Sequence, residues 1–398
     1  ERPSFTLDPL FHAGAYYVQE ASSMLIGHAL KQVVDFDRNL RILDLCAAPG
    51  GKSTLLLSLM NDKSVLLSNE VIKTRVNILK ENIHKWGNPN VMVSNHEAED
   101  FRGLNGFFDV VLIDAPCSGE GLFRKDENAK KEWSPENVNL CSARQKKILS
   151  NTIDLLTDGG ILLYSTCTYN AQENLDNVIW ITEQFGCESI PIELPADWGV
   201  VELKESASFG YQCYPHLVKG EGFFFAVLRK GTNRQEKTGT SYFQKKSSLY
   251  PVSKSELELL RKWVDDPDSL SFYKKGNGII TAVSKAIEPD CAAIESALRR
   301  VSFGVEIGEF KGKDFIPSHE LALSSIVSSA FVSIELEKNE ALFYLKKELH
   351  SVDTDLRGWA LAKYQGLSMG WMKILPNRIN NYLPAHFRIR MDLDTALF

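Results

Sequence analysis

"RILDLCAAPGGKST", residues 41–54, leads from a short apolar run into a glycine-rich turn and then into a stretch with helical character. Such a turn presents free backbone N–H groups and the positive end of a helix dipole to a ligand. A phosphate loop would need glycine at position 46, where this chain has Cys46, and the turn also lacks the dinucleotide pattern G-x-G-x-x-G. The stretch therefore predicts a nucleoside ligand without a pyrophosphate.

Apolar segments of strand length alternate with helix-like segments from Arg41 to about Lys230. Short continuous runs of Val, Ile and Leu are typical of parallel strands that are buried on both faces. The expected strands are 41–45, 65–69, 91–94, 108–113, 161–165 and 223–228, and the expected helices are 52–60, 72–86, 137–156 and 172–185. This alternation predicts a doubly wound α/β sandwich, in which ligands bind at the carboxyl ends of the strands.

The second expected strand ends at Glu70. In this fold an acidic residue about twenty residues beyond the glycine turn accepts hydrogen bonds from ribose hydroxyls. Glu70 therefore supports the interpretation of a nucleoside ligand.

Two further strand exits carry cysteines. "LIDAPCSGEGLFRKD" (112–126) places Asp114 and Cys117 in a Gly/Pro-rich loop, and "GGILLYSTCTYN" (159–170) places Cys167 at the end of another strand. A lone buried cysteine usually behaves as a small hydrophobe, but these two have polar neighbours at the ligand edge. An acid and two thiols suit methylation of cytosine at carbon 5, in which a thiolate adds at carbon 6 and the acid holds N3 protonated. The methyl donor with a nucleoside part is S-adenosylmethionine.

Composition narrows the class of protein. The chain has 398 residues and a net charge of −6, and its apolar runs are too short to span a membrane. Its seven cysteines are odd in number and show no C-x-x-C spacing, and its eight histidines show no metal-binding spacing. These features predict a cytoplasmic protein without a disulfide framework or a metal site. Residues 357–390 nevertheless contain six Lys or Arg and no acid, which makes a local surface for RNA possible.

Three motifs resemble those of the RNA 5-methylcytosine methyltransferases, the NOL1/NOP2/Sun family: "DLCAAPGGK" (44–52), "DAPCSGEG" (114–121) and "STCT" (165–168). The segments "YYVQEASSM" (16–24) and "YPHLVKGEGFFFAVLRK" (214–230) are similar to flanking parts of the same family, so the resemblance covers about residues 12–230. It implies a Rossmann-like methyltransferase domain, S-adenosylmethionine as cofactor and RNA as substrate.

The resemblance also implies roles for individual residues. Cys167 matches the nucleophile, Cys117 matches the cysteine that assists product release, and Asp114 matches the acid that contacts the cytosine. The implied cofactor-binding residues are Ala47, Ala48, Pro49, Gly50, Gly51, Lys52, Glu70, Arg75, Glu97 and Asp114.

The C-terminal part resembles the bacterial branch that methylates 16S ribosomal RNA, whose members end in a PUA-like RNA-binding domain. In its last segment, Trp359, Tyr364, Trp371 and Tyr382 alternate with Lys and Arg. In RNA-binding proteins, basic side chains contact the phosphates and aromatic side chains stack on the bases. An alternative is a small barrel with a solvated basic face. The expected RNA-binding residues are Lys125, Lys363, Lys373, Arg378 and Arg388.

We therefore expect a lead-in at residues 1–40, a catalytic domain at 41–230, a linker at 231–250, an intermediate domain at 251–325 and a PUA-like domain at 326–398. The branch also implies a further domain upstream of the first residue. The expected protein is a monomer that acts on 16S ribosomal RNA or the small ribosomal subunit. Three alternatives are a tRNA or other RNA substrate, DNA cytosine methylation, and a non-catalytic RNA-binding assembly factor. The DNA enzymes lack a T-C cysteine, so "STCT" argues against them.

Overall fold

The computed structural model describes residues 4–232 and 250–393. Most of the expected linker, residues 233–249, lies outside the described residues. No helix among the described residues is long and apolar enough to cross a membrane.

Residues 4–232, the N-terminal region, form one mixed α/β layer structure. Its elements are α1 (Pro9–His12), α2 (Leu25–Val33), β1 (Arg41–Asp44), α3 (Gly51–Leu59), β2 (Val65–Asn69), α4 (Lys73–Trp86), β3 (Val91–Ser94), β4 (Phe108–Asp114), α5 (Glu127–Glu132), α6 (Pro135–Thr152), β5 (Leu156–Thr166), α7 (Leu175–Phe185), β6 (Glu188–Ile190), β7 (Val201–Glu205), β8 (Ser208–Cys213) and β9 (Phe223–Arg229). The expected strands at 65–69 and 91–94 coincide with β2 and β3. The helix expected at 137–156 ends earlier, at Thr152, and residues 153–155 form a short 3-10 turn before β5.

The sheet of this region runs in the order β3-β2-β1-β4-β5-β9-β8-β7. The five strands from β3 to β5 are parallel, as the sequence predicts, whereas β9 is antiparallel to β5 and to β8. No helix lies between β7, β8 and β9, and a short connection joins neighbouring strands only in antiparallel order. The sheet is therefore mixed, which corrects the expectation of parallel strands throughout.

Successive residues of the central strands point to opposite faces of the sheet and join two different cores. Leu43 and Val111 belong to one hydrophobic cluster, and their neighbours Ile42 and Val110 belong to the other. All four side chains are almost fully buried. Two-sided burial explains why these strands read as continuous apolar runs.

Residues 250–330, the middle region, contain a second sheet. The elements of the region are β10 (Tyr250–Pro251), α8 (Lys254–Leu260), β11 (Leu270–Lys274), β12 (Ile279–Ser284), α9 (Glu288–Ala297), β13 (Ser302–Phe303), β14 (Val305–Lys311), β15 (Asp314–Pro317) and α10 (His319–Leu323). The sheet runs in the order β10-β11-β12-β14-β15. Strand β13 pairs with β3 and so extends the N-terminal sheet. The middle region thereby covers an edge strand that would otherwise expose unpaired backbone groups.

Residues 331–393, the C-terminal region, form a third sheet in the order β16-β17-β18-β19. Its elements are β16 (Ser333–Glu335), α11 (Lys338–Lys346), β17 (Gly358–Tyr364), β18 (Leu367–Leu375) and β19 (Arg378–Asn381). Trp371 is buried in the same cluster as Trp263 of the middle region, and its indole N–H donates to the Ser318 carbonyl at 2.8 Å. The middle and C-terminal regions thus share one core.

Candidate active site

Cys117 and Cys167 meet at the carboxyl edge of the N-terminal sheet. Strands β4 and β5 are parallel neighbours with Asp114 opposite Ser165, so both cysteines follow their strands at the same edge. The two sulfur atoms lie 3.1 Å apart, and both thiols are free. Tertiary pairing of two strand exits therefore joins two residues that are fifty positions apart in the chain.

The two thiols differ in acidity. The hydrogen bond with Cys117 lowers the pKa of Cys167 below its ordinary value, and the Lys52 ammonium lowers it further, although burial and the Asp114 carboxylate oppose the shift. The same hydrogen bond, together with burial, raises the pKa of Cys117 well above its ordinary value. A thiolate is the nucleophilic form of cysteine, so this environment favours Cys167 as the attacking group.

The Asp114 carboxylate is held from two sides. Lys52 donates to its Oδ2 at 2.7 Å, and Ser165 donates to its Oδ1 at 2.8 Å. Burial lowers the pKa of Lys52, but the adjacent Asp114 carboxylate more than offsets this and raises it above its ordinary value. A charge-assisted pair of this kind fixes both side chains beside the thiols.

A cavity of about 270 Å³ opens in front of these groups. Its lining includes Cys167, Asp114, Lys52 and, at its rim, Lys125. Gly121 forms part of the wall, where a Cβ atom would lie 2.7 Å from the carbonyl oxygen of Cys167, so only glycine fits without displacing the Cys167 backbone. The cavity thus brings Cys167 and Asp114, two of the three predicted catalytic residues, onto one small concave surface.

A second cavity of about 340 Å³ lies beside the first, and Cys46 lines both. Glu70 and Glu97 line the second cavity, together with apolar side chains that include Ile72 and Ile148. His96 also lines it, and its buried Nδ1 atom has no hydrogen-bond partner within the described residues. Two carboxylates, an unpartnered imidazole nitrogen and apolar walls form a donor and acceptor set that fits a nucleoside.

The glycine turn lines the first cavity, and Arg75 connects this turn to Glu70 of the second cavity. Ala47, Ala48, Pro49 and Gly51 line the first cavity, and Gly50 adopts a left-handed φ of 116° at the start of α3. Arg75 donates to the Ala48 carbonyl at 2.5 Å and pairs with Glu70 at 3.2 Å. The structure therefore brings all of the expected cofactor-binding residues to this edge of the sheet.

Behind the thiols, the buried Glu173 carboxylate ties the two cysteine loops together. It accepts hydrogen bonds from the Ser118 N–H at 3.0 Å, the Ser118 hydroxyl at 2.5 Å, Asn170 at 2.7 Å and Gln145 at 2.7 Å. Ser118 follows Cys117 directly, and Asn170 lies three residues beyond Cys167. One carboxylate thus fixes the position of both loops.

Glu120 forms a second tie between the same loops. Its Oε2 accepts from the Thr168 hydroxyl at 2.6 Å and from the Tyr169 N–H at 2.6 Å, and its Oε1 accepts from the Trp133 indole at 2.9 Å. Burial raises the pKa of Glu120, but these hydrogen bonds more than offset it and hold the pKa below its ordinary value. The sequence reasoning missed both glutamates, although their positions within the cysteine loops were a usable signal.

The expected RNA-binding residues lie in two places. Lys125 is at the active-site rim, where it pairs with Glu221 at 3.1 Å. The other four lie in the C-terminal region: Lys363 on β17, Lys373 on β18, Arg378 on β19 and Arg388 beyond β19. Arg388 pairs at 3.4 Å with Glu348, which follows the end of α11. The basic segment 357–390 therefore has an acidic neighbour in space, although its own sequence contains no acidic residue.

Trp371 corrects the expectation of a base-stacking residue, because it is only 1% exposed and belongs to the core. Trp359, Tyr364 and Tyr382 are partly exposed. Among residues 4–232 and 250–393, no cluster of His, Cys, Asp and Glu could hold a metal ion.

Comparison with known proteins agrees with this geometry. The family model described as 16S rRNA methyltransferase RsmB/F matches residues 31–229, and the model of the methyltransferase RsmF PUA domain matches residues 331–389. The ribosomal RNA small subunit methyltransferase F of Shewanella loihica is 30% identical over 379 residues, which cover 93% of this chain and 77% of that protein. Its counterpart in Vibrio campbellii is 32% identical over 388 residues, covering 94% and 79%.

Among solved structures, NSun6 from Pyrococcus horikoshii with SFG superposes with a TM-score of 0.51 at 28% identity, over 58% of this chain and 57% of that one. The chain that contains this sheet and the two neighbouring thiols therefore matches 16S rRNA methyltransferases along most of its length. The protein belongs to the RsmB/F family of 16S rRNA methyltransferases.

Proposed function

We propose that this protein transfers a methyl group from S-adenosylmethionine to carbon 5 of a cytosine in 16S ribosomal RNA. The observation that carries the proposal is the pair of thiols 3.1 Å apart beside the Asp114–Lys52 ion pair. The names of the relatives, small subunit methyltransferases F, support ribosomal RNA as the substrate.

The second cavity fits the cofactor. Glu70 and Glu97 offer carboxylate oxygens to hydroxyl and amino groups, and the apolar walls suit an adenine ring. Arg75 and the backbone of residues 47–51 would hold the remaining part near the border of the two cavities. When bound, the cofactor supplies an electrophilic methyl group.

The first cavity performs the chemistry on the base. The Cys167 thiolate adds to carbon 6 of the ring while N3 takes up a proton from solvent that Asp114 relays. The resulting neutral enamine has a nucleophilic carbon 5, and the Asp114 carboxylate stabilises the adduct by accepting a hydrogen bond from the new N3–H. After methyl transfer, the carbon 5 proton passes to solvent through Cys117, whose thiol exchanges its own proton with water. The electron pair of the broken C5–H bond restores the C5–C6 double bond and expels the Cys167 thiolate. Cys117, 3.1 Å from Cys167, assists this release.

Several further assignments belong to the same proposal. Residues 41–230 act as the catalytic domain, residues 251–325 as an intermediate domain and residues 326–398 as a PUA-like RNA-binding domain. The substrate is ribosomal RNA, free or in the small subunit, and the protein acts in the cytoplasm as a monomer. Lys125, Lys363, Lys373, Arg378 and Arg388 contact the RNA.

Bisulfite sequencing tests the reaction directly. Full-length 16S rRNA and assembled small subunits are incubated with S-adenosylmethionine and either the wild-type chain or Cys167→Ala, and cytosines protected from conversion are mapped. We expect one protected cytosine with the wild-type protein and none with Cys167→Ala. Protection of a tRNA or DNA cytosine alone, or of none at all, would contradict the proposal.

A further inference from the structure

A cleft between the middle and C-terminal regions combines basic and aromatic side chains. It has a volume of about 230 Å³, and we call it the seam cleft; it is lined by Lys262, Phe310, Lys313, Trp359 and Lys373, among others. Lys262, Phe310 and Lys313 come from the middle region, and Trp359 and Lys373 come from the C-terminal region. The cleft therefore exists only because the two regions pack together.

Among the residues that the structure describes, the three lysines of the seam cleft have no ion-pair partner, unlike two of their basic neighbours. Nearby, Lys311 pairs with Glu309 at 3.0 Å and Arg261 pairs with Asp268 at 2.8 Å. Within the described part of the chain, Lys262, Lys313 and Lys373 form no salt bridge, although Asp314 also lines the cleft. Three ammonium groups and one carboxylate around this small cleft leave a net positive charge, which attracts a polyanion.

The aromatic wall is held in place by the shared core. Trp359 meets the buried Trp371 edge to face, with ring centroids 6.2 Å apart, and it meets Tyr382 edge to face at 4.4 Å. The Lys373 ammonium lies 5.5 Å from the Trp359 ring centroid, within range of a cation–π contact. An aromatic ring with fixed orientation beside cations is the combination on which nucleic-acid bases stack while lysines hold the neighbouring phosphates.

We propose that the seam cleft binds a nucleotide in a single-stranded segment of the RNA substrate. The base packs against Trp359 and Phe310, and Lys262, Lys313 and Lys373 bind the adjacent phosphates. This proposal rests on the proposed function, since the bound RNA is the one that the active site methylates. An acidic peptide would use the lysines but would gain little from a rigid aromatic wall, so the aromatic side chains favour RNA.

The cleft would give the enzyme a second point of contact with its substrate. The active site is built from β4 and β5 of the N-terminal region, whereas the cleft belongs to the two regions that follow it. Contact at both places fixes the orientation of a large RNA without reading its sequence, as phosphate and stacking contacts do.

Fluorescence anisotropy with a labelled single-stranded RNA of about twelve nucleotides tests the proposal. Affinity for the full chain is measured across a salt series for the wild type, Lys313→Ala, Lys373→Ala and the double variant. Each substitution should weaken binding several-fold and flatten the slope of log affinity against log salt by about 0.7, the value for one phosphate contact on a single strand. Duplex RNA of the same sequence should bind more weakly and show a smaller effect.

Lys311→Ala is the matched control, because Lys311 lies on the same strand as Phe310 but is paired with Glu309 and does not line the cleft. It should leave affinity and slope unchanged. Wild-type affinity and slope in the double variant would overturn the cleft proposal, as would equal losses on an acidic peptide and on RNA. The methylation activity of the double variant on a short RNA is measured separately. If the double variant binds RNA like the wild type and still methylates, the cleft proposal fails and the proposed function stands.

Discussion

Single residues decide the order of events at the two thiols. Cys117→Ala should still attack and methylate the base but fail to release it, because the group that assists collapse of the adduct is missing. We expect a protein–RNA adduct that survives denaturing gel electrophoresis with Cys117→Ala, and none with Cys167→Ala or with the double variant. A stable adduct with Cys167→Ala would instead reverse the two roles.

Asp44, at the end of β1, makes a second prediction at this scale. Burial raises its pKa to about 7, although the hydrogen bond from Ser53 works in the opposite direction. Its Oδ1 is buried without a hydrogen-bond partner in the described residues, in keeping with a protonated carboxyl. The folded state therefore binds this proton more tightly than the unfolded state does.

The sign follows from that difference in proton binding. Protonated Asp44 contributes on the order of 2 to 4 kcal/mol to the free energy of unfolding. This contribution is fully present below the unfolded-state pKa of about 4 and is lost as the pH rises towards 7. Asp44→Asn should remove this pH dependence of the free energy of unfolding, measured by urea titration between pH 4.5 and 8. The exposed Asp62→Asn is the control, and parallel pH curves for Asp44→Asn and wild type would contradict the assignment.

At the scale of elements, the loops that follow β4 and β5 depend on Glu173. Glu173→Gln places an amide donor where Ser118, Asn170 and Gln145 already donate, so at least one of these buried donors loses its acceptor. We expect a loss of roughly 2 to 4 kcal/mol in the free energy of unfolding, since hydrogen bonds to a buried charge are broken.

A structural defect alone would not change the acidity of a thiol, so alkylation of Cys167 by iodoacetamide provides the specific measurement for Glu173. If Glu173 sets the distance between the two loops, Glu173→Gln should move the midpoint of the pH–rate profile of alkylation towards that of an ordinary cysteine. Glu127→Gln, an exposed residue paired with Lys130, should leave the profile unchanged. A folded Glu173→Gln protein with the wild-type profile would show that Glu173 does not position the thiols.

At the scale of the whole molecule, the N-terminal and middle regions share a core. Phe303, Ile294 and Leu298 of the middle region belong to the same buried cluster as Leu43 of β1. Phe303 also lies on β13, which extends the N-terminal sheet beside Met92. The two regions should therefore unfold together.

Differential scanning calorimetry can test this cooperativity. Phe303→Ala should cost about 3 to 5 kcal/mol, as expected for a large-to-small substitution of a buried Phe, and should lower the melting temperature of a single transition. Leu140→Ala, at a side chain that is 65% exposed, should have little effect. Two separate transitions, only one of which responds to Phe303→Ala, would show that the regions unfold independently.

The sequence by itself determined the central part of the fold, and it predicted the site residues. The five parallel strands could be predicted because each is largely buried on both faces and contains a short run of apolar residues. That Cys117, Cys167 and Asp114 lie close together could be predicted because strand exits in such a sheet meet at the ligand-binding edge. Each strand and each strand exit is defined by residues that are close together in the sequence, so a local pattern is enough to predict it.

Only the tertiary structure decided what depends on contacts between distant residues. The strand β13 beside β3 and the burial of Trp371 follow from packing across the regions, which a local sequence pattern does not encode. The pairing of β9 with β5 likewise depends on which strands become neighbours in the sheet. The same holds for the acidity of the two thiols and for the ties made by Glu173 and Glu120, because each arises from groups that lie close together in space and far apart in the chain.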